Sequence, residues 1–320
     1  MSEDKALSLL VNAKLTKHQY QLIRLNAKEN NSDMYPPYNL IREAKTRCYP
    51  PKEAFKITES LAEIDLQELL DHTVVRIIQC QWTVVDSFSD ENIISMILIT
   101  KWGFDGSTGH GEYKQICTED FSDSQILLTS LVPIQLFVNK PDLNKQIIWQ
   151  NPRPSSTRYC RPIRIQFKKE TTESSFNEMK YIENQIKELK PTKLSINNYN
   201  IDIAHDMQLT MIDGKVCNAV TSTTSAQRCY ICKATPIEMN KIEKVINKEI
   251  DPTALRFGLS TLHAWIRFFE YFLHVSYRLD IKKWQVRGED KGKFLSRKKM
   301  IQEKFKTIMG LKVDYVRSGG

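Results

Sequence analysis

Two aspartates of this 320-residue chain each follow an apolar, strand-like stretch. Asp105 comes after the run from Ile94 to Phe104, and Asp213 comes after the run from Met207 to Ile212. Both runs are rich in residues typical of buried strands, and a glycine follows each acid. Carboxylates at the ends of neighbouring strands form half of a site for two divalent cations, which lie about 3.5–4 Å apart in such sites. Because Asp and Gly also make ordinary turns, the spacing alone leaves a plain turn open.

A pair of cysteines forms a second candidate site. Cys229 and Cys232 flank Tyr-Ile, and two thiolates at this spacing can share one tetrahedral zinc ion at Zn–S distances of about 2.3 Å. His263 and His274, the histidines that follow, fall on one helical pattern about 16 Å apart, so one ion cannot bind both. The residues themselves leave zinc binding and redox chemistry equally open.

The N-terminal part of the chain predicts two short basic helices. Thr16-Lys-His-Gln19 has the form of a capping box, and Tyr20, Ile23 and Ala27 follow on one face of the helix that it opens. A second helix is predicted over residues 39–47 and ends before two prolines. The basic side chains here fit either a solvated helix face or a surface that binds nucleic acid.

The middle of the chain has the element order of an RNase H-like mixed sheet. Strands are predicted at 94–104, near 113–117, at 126–138 and at 164–167, followed by a helix over 172–189 and the strand that precedes Asp213. A crossover helix before that last strand is what parallel pairing requires. The expected fold class is therefore α/β: a mixed-sheet core preceded in the sequence by an N-terminal helical region and followed by a C-terminal one. From residue 237 to 308 the pattern is helical, and its aromatic stripe predicts a buried core.

Composition narrows the classes of function. The formal charge of +8 favours a polyanionic partner such as nucleic acid, although an acidic protein would fit the same total. Apolar runs are too short to span a membrane, and the first residues do not form a secretory signal. Seven cysteines without an export signal indicate a reducing compartment. The glycines at 103–111 lack the Gly-Lys-Ser/Thr ending of a phosphate-binding loop. His110, in this segment, is interpreted as a turn residue.

Several segments resemble the Transib transposases, a family that includes the catalytic subunit of the V(D)J recombinase. The resemblance lies in GFDGSTGHGEYKQ (103–115), STRYCRPIRIQFKKET (156–171) and MIDGKVCNAVTSTTSAQRCYIC (211–232). It continues at the N-terminus in LTKHQYQLIR (15–24) and YPPYNLIREAKTRCYPPKEA (35–54), so it covers most of the chain.

The resemblance implies a nuclear DDE enzyme, in which two aspartates and a distant glutamate bind the metal ions. Asp105 and Asp213 match the two aspartates and would bind Mg²⁺ or Mn²⁺, while Cys229 and Cys232 match half of a zinc site. The implied partners are double-stranded DNA at terminal inverted repeats and, in the intact enzyme, a second copy of the chain. The N-terminal residues expected to contact DNA phosphates are Lys14, Lys17, Arg24, Arg42, Lys45 and Arg47.

The expected domain plan follows the same resemblance. Residues 1–60 form a dimerisation and DNA-binding region, 61–92 a connector, 93–228 an incomplete catalytic core, and 229–320 the zinc half-site with part of a helical insertion. The family's glutamate lies beyond that insertion, but this chain ends 107 residues after Asp213, and no acid in it carries the glutamate's motif. We therefore expect a C-terminally truncated enzyme with little or no activity. The alternatives are a non-catalytic DNA-binding protein and a zinc-dependent interaction module.

Overall fold

The computed structural model describes residues 1–88, 93–108, 124–138, 146–196, 199–225, 227–239, 241–258, 261–282 and 285–314. The chain divides into two compact units, Met1–Phe257 and Gly258–Gly320, which are treated separately below. The predicted strand near residues 113–117 and His110 lie outside the described residues.

Three helices open the first unit: α1 (Glu3–Asn12), α2 (Lys17–Glu29) and α3 (Tyr38–Arg47). The capping box at the start of α2 is confirmed, because Thr16 and Gln19 exchange side-chain to backbone hydrogen bonds. Tyr20 is completely buried between the helices, and its hydroxyl donates to the Pro36 carbonyl at 2.9 Å. Helix α1, which the sequence analysis did not predict, supplies the third side of this small core.

A mixed sheet of eight strands forms the centre of the first unit. The strands are β1 (Phe55–Ile57), β2 (Leu61–Ile64), β3 (Ile93–Thr108), β4 (Gln125–Val138), β5 (Gln146–Gln150), β6 (Arg161–Phe167), β7 (Thr192–Ile196) and β8 (Tyr199–Leu209). Their order is β1-β2-β6-β4-β3-β8-β7, and β5 pairs with β4. Strands β3 and β8 pair in parallel from Ile93 opposite Asn200 to Trp102 opposite Leu209. The other strand pairs are antiparallel.

Two helices supply much of the core around the sheet. Helix α4 (Leu66–Cys80) buries an apolar face that includes Leu70, Val74 and Ile78. Helix α6 (Thr172–Glu188) buries Met179 and Ile182 and lies in the connection between β6 and the β7–β8 pair. The predicted crossover helix and the parallel pairing of the Asp213 strand are therefore confirmed, and so is the mixed α/β class.

Short helices complete the first unit: α5 (Trp82–Val85), α7 (Gly214–Val220), α8 (Pro236–Met239) and α9 (Ile242–Ile246). Helix α7 begins directly after Asp213, where the sequence analysis expected only the end of a strand. Its buried side chains Val216 and Cys217 belong to the main core.

The second unit contains α10 (Thr261–Tyr277) and α11 (Glu289–Met309). Tyr277 is buried and meets Phe294 edge to face, with ring centroids 6.1 Å apart. The aromatic stripe of α10 was predicted to be core, and this prediction is wrong. Trp265 and Phe269, for example, are 58% and 61% exposed, because their rings pack on neighbouring rings of the same helix rather than into an interior.

Candidate functional site

Asp105 and Asp213 lie where the two parallel strands end. Asp105 lies within β3, opposite Leu128 of β4, because this strand continues to Thr108 and does not end at Phe104 as the sequence analysis predicted. Asp213 follows β8 and caps α7, since its Oδ1 accepts the Val216 N–H at 2.8 Å. Parallel partners end at the same edge of a sheet, so the pairing brings both acids to one edge.

A close contact between backbones holds the Asp213 segment against β3. The N–H groups of Thr210 and Met211 both donate to the Trp102 carbonyl, at 3.2 and 3.0 Å. At Gly103 the approach is so close that an added Cβ would lie 2.0 Å from the Met211 oxygen. Glycine at this position is therefore required by space rather than by backbone conformation.

A third carboxylate, which the sequence analysis did not nominate, joins the two aspartates. Glu170 lies between β6 and α6 and is only 12% exposed. One of its oxygens accepts the Gly106 N–H at 2.9 Å, and the other is 2.6 Å from the Lys215 Nζ. In sequence, Glu170 belongs to a charged Lys-Lys-Glu run that is typical of a solvated loop. The one signal that marks it is its position directly before Thr171, the N-cap of α6.

The negative charges of the three carboxylates lie near one another at this edge. Burial raises the pKa of Asp105 above its usual range, and the charges of Glu170 and Asp213 raise it further. The hydrogen bond to Glu170 raises the pKa of Lys215, so this lysine keeps its charge beside the acids. A cation bound beside Asp105 would lower the pKa of this carboxyl again.

The donor chemistry at this edge fits a hard divalent cation. Carboxylate oxygens are the ligands that Mg²⁺ and Mn²⁺ take, and the charges of Glu170 and Asp213 both act on Asp105 here. Among the described residues, no group of three or more His, Cys, Asp or Glu is already arranged around a common centre. The reason is visible in the contacts: Glu170 faces Lys215 and Gly106, while Asp213 faces the α7 N-terminus.

A hydroxyl-lined cleft opens beside the carboxylates. It has a volume of about 440 Å³ and is bounded by Glu170 and Lys215 on one side. Its other walls are polar or small, namely Thr171, Thr172, Ser175, Asn218, Ala219, Ser222, Thr223, Thr224 and Ser225. The hydroxyl and amide groups of this lining can form hydrogen bonds with a polar ligand.

Cys229 and Cys232 occupy the two ends of a tight turn. The Lys233 N–H donates to the Cys229 carbonyl at 2.8 Å, and the Cys229 N–H donates to the Ala234 carbonyl at 3.0 Å. Lys233 has a φ of 55°, which closes the turn. Both thiols are partly exposed and free. The pair fits half of a tetrahedral zinc site, and within the described part of the chain no further ligands complete it.

The six basic residues predicted to contact DNA fall into two groups. Lys14, Arg42 and Lys45 are exposed and have no side-chain partner among the described residues. The other three make contacts within the protein: the Arg24 Nε donates to the Tyr35 carbonyl, Lys17 lies 5.5 Å from the Tyr38 ring centre, and Arg47 pairs with Glu3 and Asp4. The first group is thus free to meet a partner, whereas the second also supports the helical fold.

Comparison with known proteins gives no relative for this chain, since neither a protein-family model nor a curated protein matches it. No helix in the described ranges is long and apolar enough to cross a membrane. The function is therefore argued from the residues and their geometry.

Proposed function

We propose that this chain is the DNA-binding region and catalytic core of a Transib-like DDE transposase, which cuts and joins double-stranded DNA at terminal inverted repeats. The observation that carries the proposal is the convergence of Asp105, Glu170 and Asp213 at the shared edge of β3 and β8. An ordinary turn at Asp105 or at Asp213 would account for that one acid, but not for three acids near one another.

The topology supports an RNase H-like core. Strands β3, β4 and β6 are antiparallel neighbours in the sheet, and after the crossover helix α6 the chain forms β7 and then β8, which pairs in parallel with β3. The sequence analysis predicted β3, β4, β6, α6 and the strand before Asp213 in this order, but it did not predict β5 or β7. In such a sheet the acids of a nuclease or transposase would occupy the positions of Asp105 and Asp213.

The roles of the side chains follow from their contacts. Asp105, Asp213 and Glu170 would hold Mg²⁺ or Mn²⁺, which when bound supplies a Lewis acid that polarises the phosphate and lowers the pKa of a water. Lys215 holds Glu170 in place and balances part of the negative charge. The Gly106 N–H fixes the second Glu170 oxygen and so ties the end of β3 to the start of α6. The hydroxyl-lined cleft would receive the DNA strand beside these acids.

The remaining features fit a DNA-processing protein. Lys14, Arg42 and Lys45 would contact the duplex backbone and so position it without reading its sequence. The N-terminal helices would also form the dimer contact, Cys229 and Cys232 would contribute half of a zinc site, and the protein would act in the nucleus.

Mn²⁺ binding and plasmid nicking test the proposal together. We expect calorimetry to detect Mn²⁺ binding to the wild-type chain that is lost in Asp105→Asn and Asp213→Asn. We expect any Mn²⁺-dependent nicking of a supercoiled plasmid by the wild-type chain to be weak, and the same two variants to abolish it. Asp206→Asn, an exposed acid on β8 outside the cluster, is the matched control and should change neither. A wild-type chain that neither binds Mn²⁺ nor nicks DNA would refute the proposal.

A second candidate is a DNA-binding protein without catalysis. The observation that favours it is the ion pair of Lys215 with Glu170, since the lysine supplies the cluster with a cation of its own. This reading predicts DNA binding that survives Asp105→Asn and Asp213→Asn in the presence of Mn²⁺, with no nicking by any version of the chain.

A further inference from the structure

Three basic side chains meet far from the carboxylates, where the end of α3 approaches α4 and the start of β6. His72 and Arg76 lie one turn apart on α4, and Arg161 opens β6 opposite Leu131 of β4. Arg76 reaches the end of α3, since its Nη2 is 3.9 Å from the Cys48 Sγ. We refer to His72, Arg76 and Arg161 as the cation cluster.

The cation cluster has no acid to balance it within the described part of the chain. Both ring nitrogens of His72 and the Nε of Arg161 are buried without a hydrogen-bond partner. The contacts of Arg76 are to neutral atoms, the Gln79 Oε1 at 3.4 Å and the Cys48 sulfur. Burying a guanidinium without a partner is costly, so a site of this kind calls for an anion from outside.

A second arginine on β6, Arg164, has carboxylate partners within the protein. Arg164, three residues beyond Arg161, lies 3.0 Å from Glu178 and 3.8 Å from Glu63. Its neighbour Gln166 also donates to Glu178, at 2.9 Å. The Nε atoms of Arg164 and Arg161 both lack a hydrogen-bond partner, so the difference lies in the carboxylates: Arg164 has two within ion-pair distance, whereas Arg161 has none among the described residues. The contrast argues against a purely structural role for Arg161.

The titration behaviour agrees with a cluster of unbalanced positive charge. Burial lowers the pKa of Arg161, and the nearby Arg76 lowers it further. Burial also lowers the pKa of His72, and so do the charges of Arg161 and Arg76. A bound anion would reverse each of these electrostatic effects.

We propose that Arg76 and Arg161, supported by His72, bind a phosphodiester group of the DNA backbone. Guanidinium groups present paired N–H donors that match phosphate oxygens, and this match favours a phosphate over a single-point anion. The position also favours DNA over a free ion. Arg158, just before β6, donates to Asn12 at the end of α1, so basic residues continue from the cluster towards the exposed Lys14. The partner named here is DNA and thus rests on the proposed function, but the site does not involve the carboxylates.

Anisotropy with a short labelled duplex, in EDTA and over a series of salt concentrations, tests the site. We expect Arg161→Gln and Arg76→Gln each to weaken binding about five- to tenfold and to reduce the salt dependence by about one phosphate contact. Lys193→Gln is the matched control, because Lys193 is exposed on β7 at the other side of the sheet, and it should bind like the wild type. Arg161→Lys keeps the charge but lacks the paired donors, and should recover only part of the affinity.

Circular dichroism of each variant establishes that it is folded. Folded Arg161→Gln and Arg76→Gln proteins that bind DNA like the wild type at every salt concentration would overturn the proposal. Inorganic phosphate distinguishes the source of the anion: we expect it to raise the melting temperature of the wild type more than that of Arg161→Gln, and to compete with DNA. Protection by phosphate without any loss of DNA affinity in the variants would assign the site to a free anion and overturn the DNA assignment.

These outcomes are independent of the catalytic proposal. Loss of DNA affinity in Arg161→Gln would stand even if Asp105→Asn left Mn²⁺ binding unchanged, because EDTA removes the metal from the binding assay. Conversely, a finding that the cation cluster does not contribute to DNA binding would leave the proposed Mn²⁺ binding by Asp105 and Asp213 unaffected.

Discussion

The carboxylate cluster, which consists of Asp105, Glu170 and Asp213, and the cation cluster each bring together side chains with charge of one sign. They differ in the partners that the protein itself provides for these charges. Glu170 and Asp213 are supplied with donors from the protein itself: the Lys215 ammonium and the Gly106 N–H for Glu170, and the Val216 N–H for Asp213. Arg161 and His72 keep buried nitrogens without partners among the described residues. These two acids are thus held by contacts within the protein, whereas the cations of the second cluster would gain such a partner only from a ligand.

This difference agrees with the ligand that we propose for each cluster, a metal ion for the carboxylates and a DNA phosphate for the cations. A small ion must find ligands at fixed distances, so the groups that bind it are positioned in advance. A DNA backbone is long and contacts many side chains, so each contact tolerates a looser arrangement. Four experiments test whether this distinction is real.

Gly103→Ala should disrupt the frame on which the carboxylate cluster depends. The new Cβ would overlap the Met211 carbonyl, a backbone atom that no rotamer change can move. We expect a loss of about 3 kcal/mol in the free energy of unfolding, measured by urea denaturation. Gly214→Ala is the control: nothing lies within 4 Å of its Cβ, and its effect should stay within about 1 kcal/mol. Equal effects of the two substitutions would show that the close approach at Gly103 is unimportant.

Arg164→Met and Arg161→Met compare a balanced arginine with an unbalanced one on the same strand. Removing Arg164 leaves the buried Glu178 without its cation, and we expect a loss of about 3–5 kcal/mol. Removing Arg161 relieves a buried charge, so stability should be unchanged or rise by about 1 kcal/mol. Chemical denaturation measures both. A similar loss in the two variants would mean that Arg161 is a structural residue after all.

Asp105→Asn should stabilise the protein at neutral pH. The folded state raises the pKa of Asp105, so it binds this proton more tightly than the unfolded chain does, and stability falls as pH rises through the folded pKa. Removing the charge should therefore raise the melting temperature by about 2 °C at pH 7. The gain should vanish below the usual pKa range of an aspartate, where both states are protonated. A gain that persists in acid would point to a cause other than charge.

Lys215→Ala should change metal affinity more than stability. The lysine is 66% exposed, so losing its ion pair with Glu170 should cost less than about 1 kcal/mol. The cluster becomes more negative, and we expect Mn²⁺ affinity to rise about fivefold in calorimetry. Lys215→Arg keeps the ion pair and should behave like the wild type. Weaker Mn²⁺ binding in Lys215→Ala would show that the lysine positions Glu170 rather than competes with the ion.

The sequence was most informative where periodicity is strong. Strand β3, strand β4 and helix α6 were predicted closely, because each is long and has a clear apolar pattern. Asp105 was predicted to follow the end of a strand, but β3 continues to Thr108, so Asp105 lies within the strand. Asp213 was predicted to come directly after a strand. In the structure β8 ends earlier, at Leu209, and Asp213 caps α7. A helix of seven residues is too short to show a clear periodic pattern in the sequence.

Two features depended on contacts between distant segments and could not be predicted from local patterns. Glu170 lies in a charged run, and only the pairing of its carboxylate with Gly106 and Lys215 distinguishes it from a solvated loop acid. The α10 stripe was misjudged for a related reason. Aromatic residues at helical spacing predict a buried face only if another element covers it, and in the second unit rings such as Trp265 stack on rings of their own helix.

The parallel pairing of β3 and β8 also dictates the order in which the protein can mature during synthesis. The chain that separates these partners contains β4, β5, β6, α6 and β7, so the Asp213 strand is made after all of them. The helices that carry Lys14, Arg42 and Lys45 are local and complete long before. Because local elements form faster than long-range strand pairs, a nascent chain acquires its N-terminal basic helices before its three acids can meet.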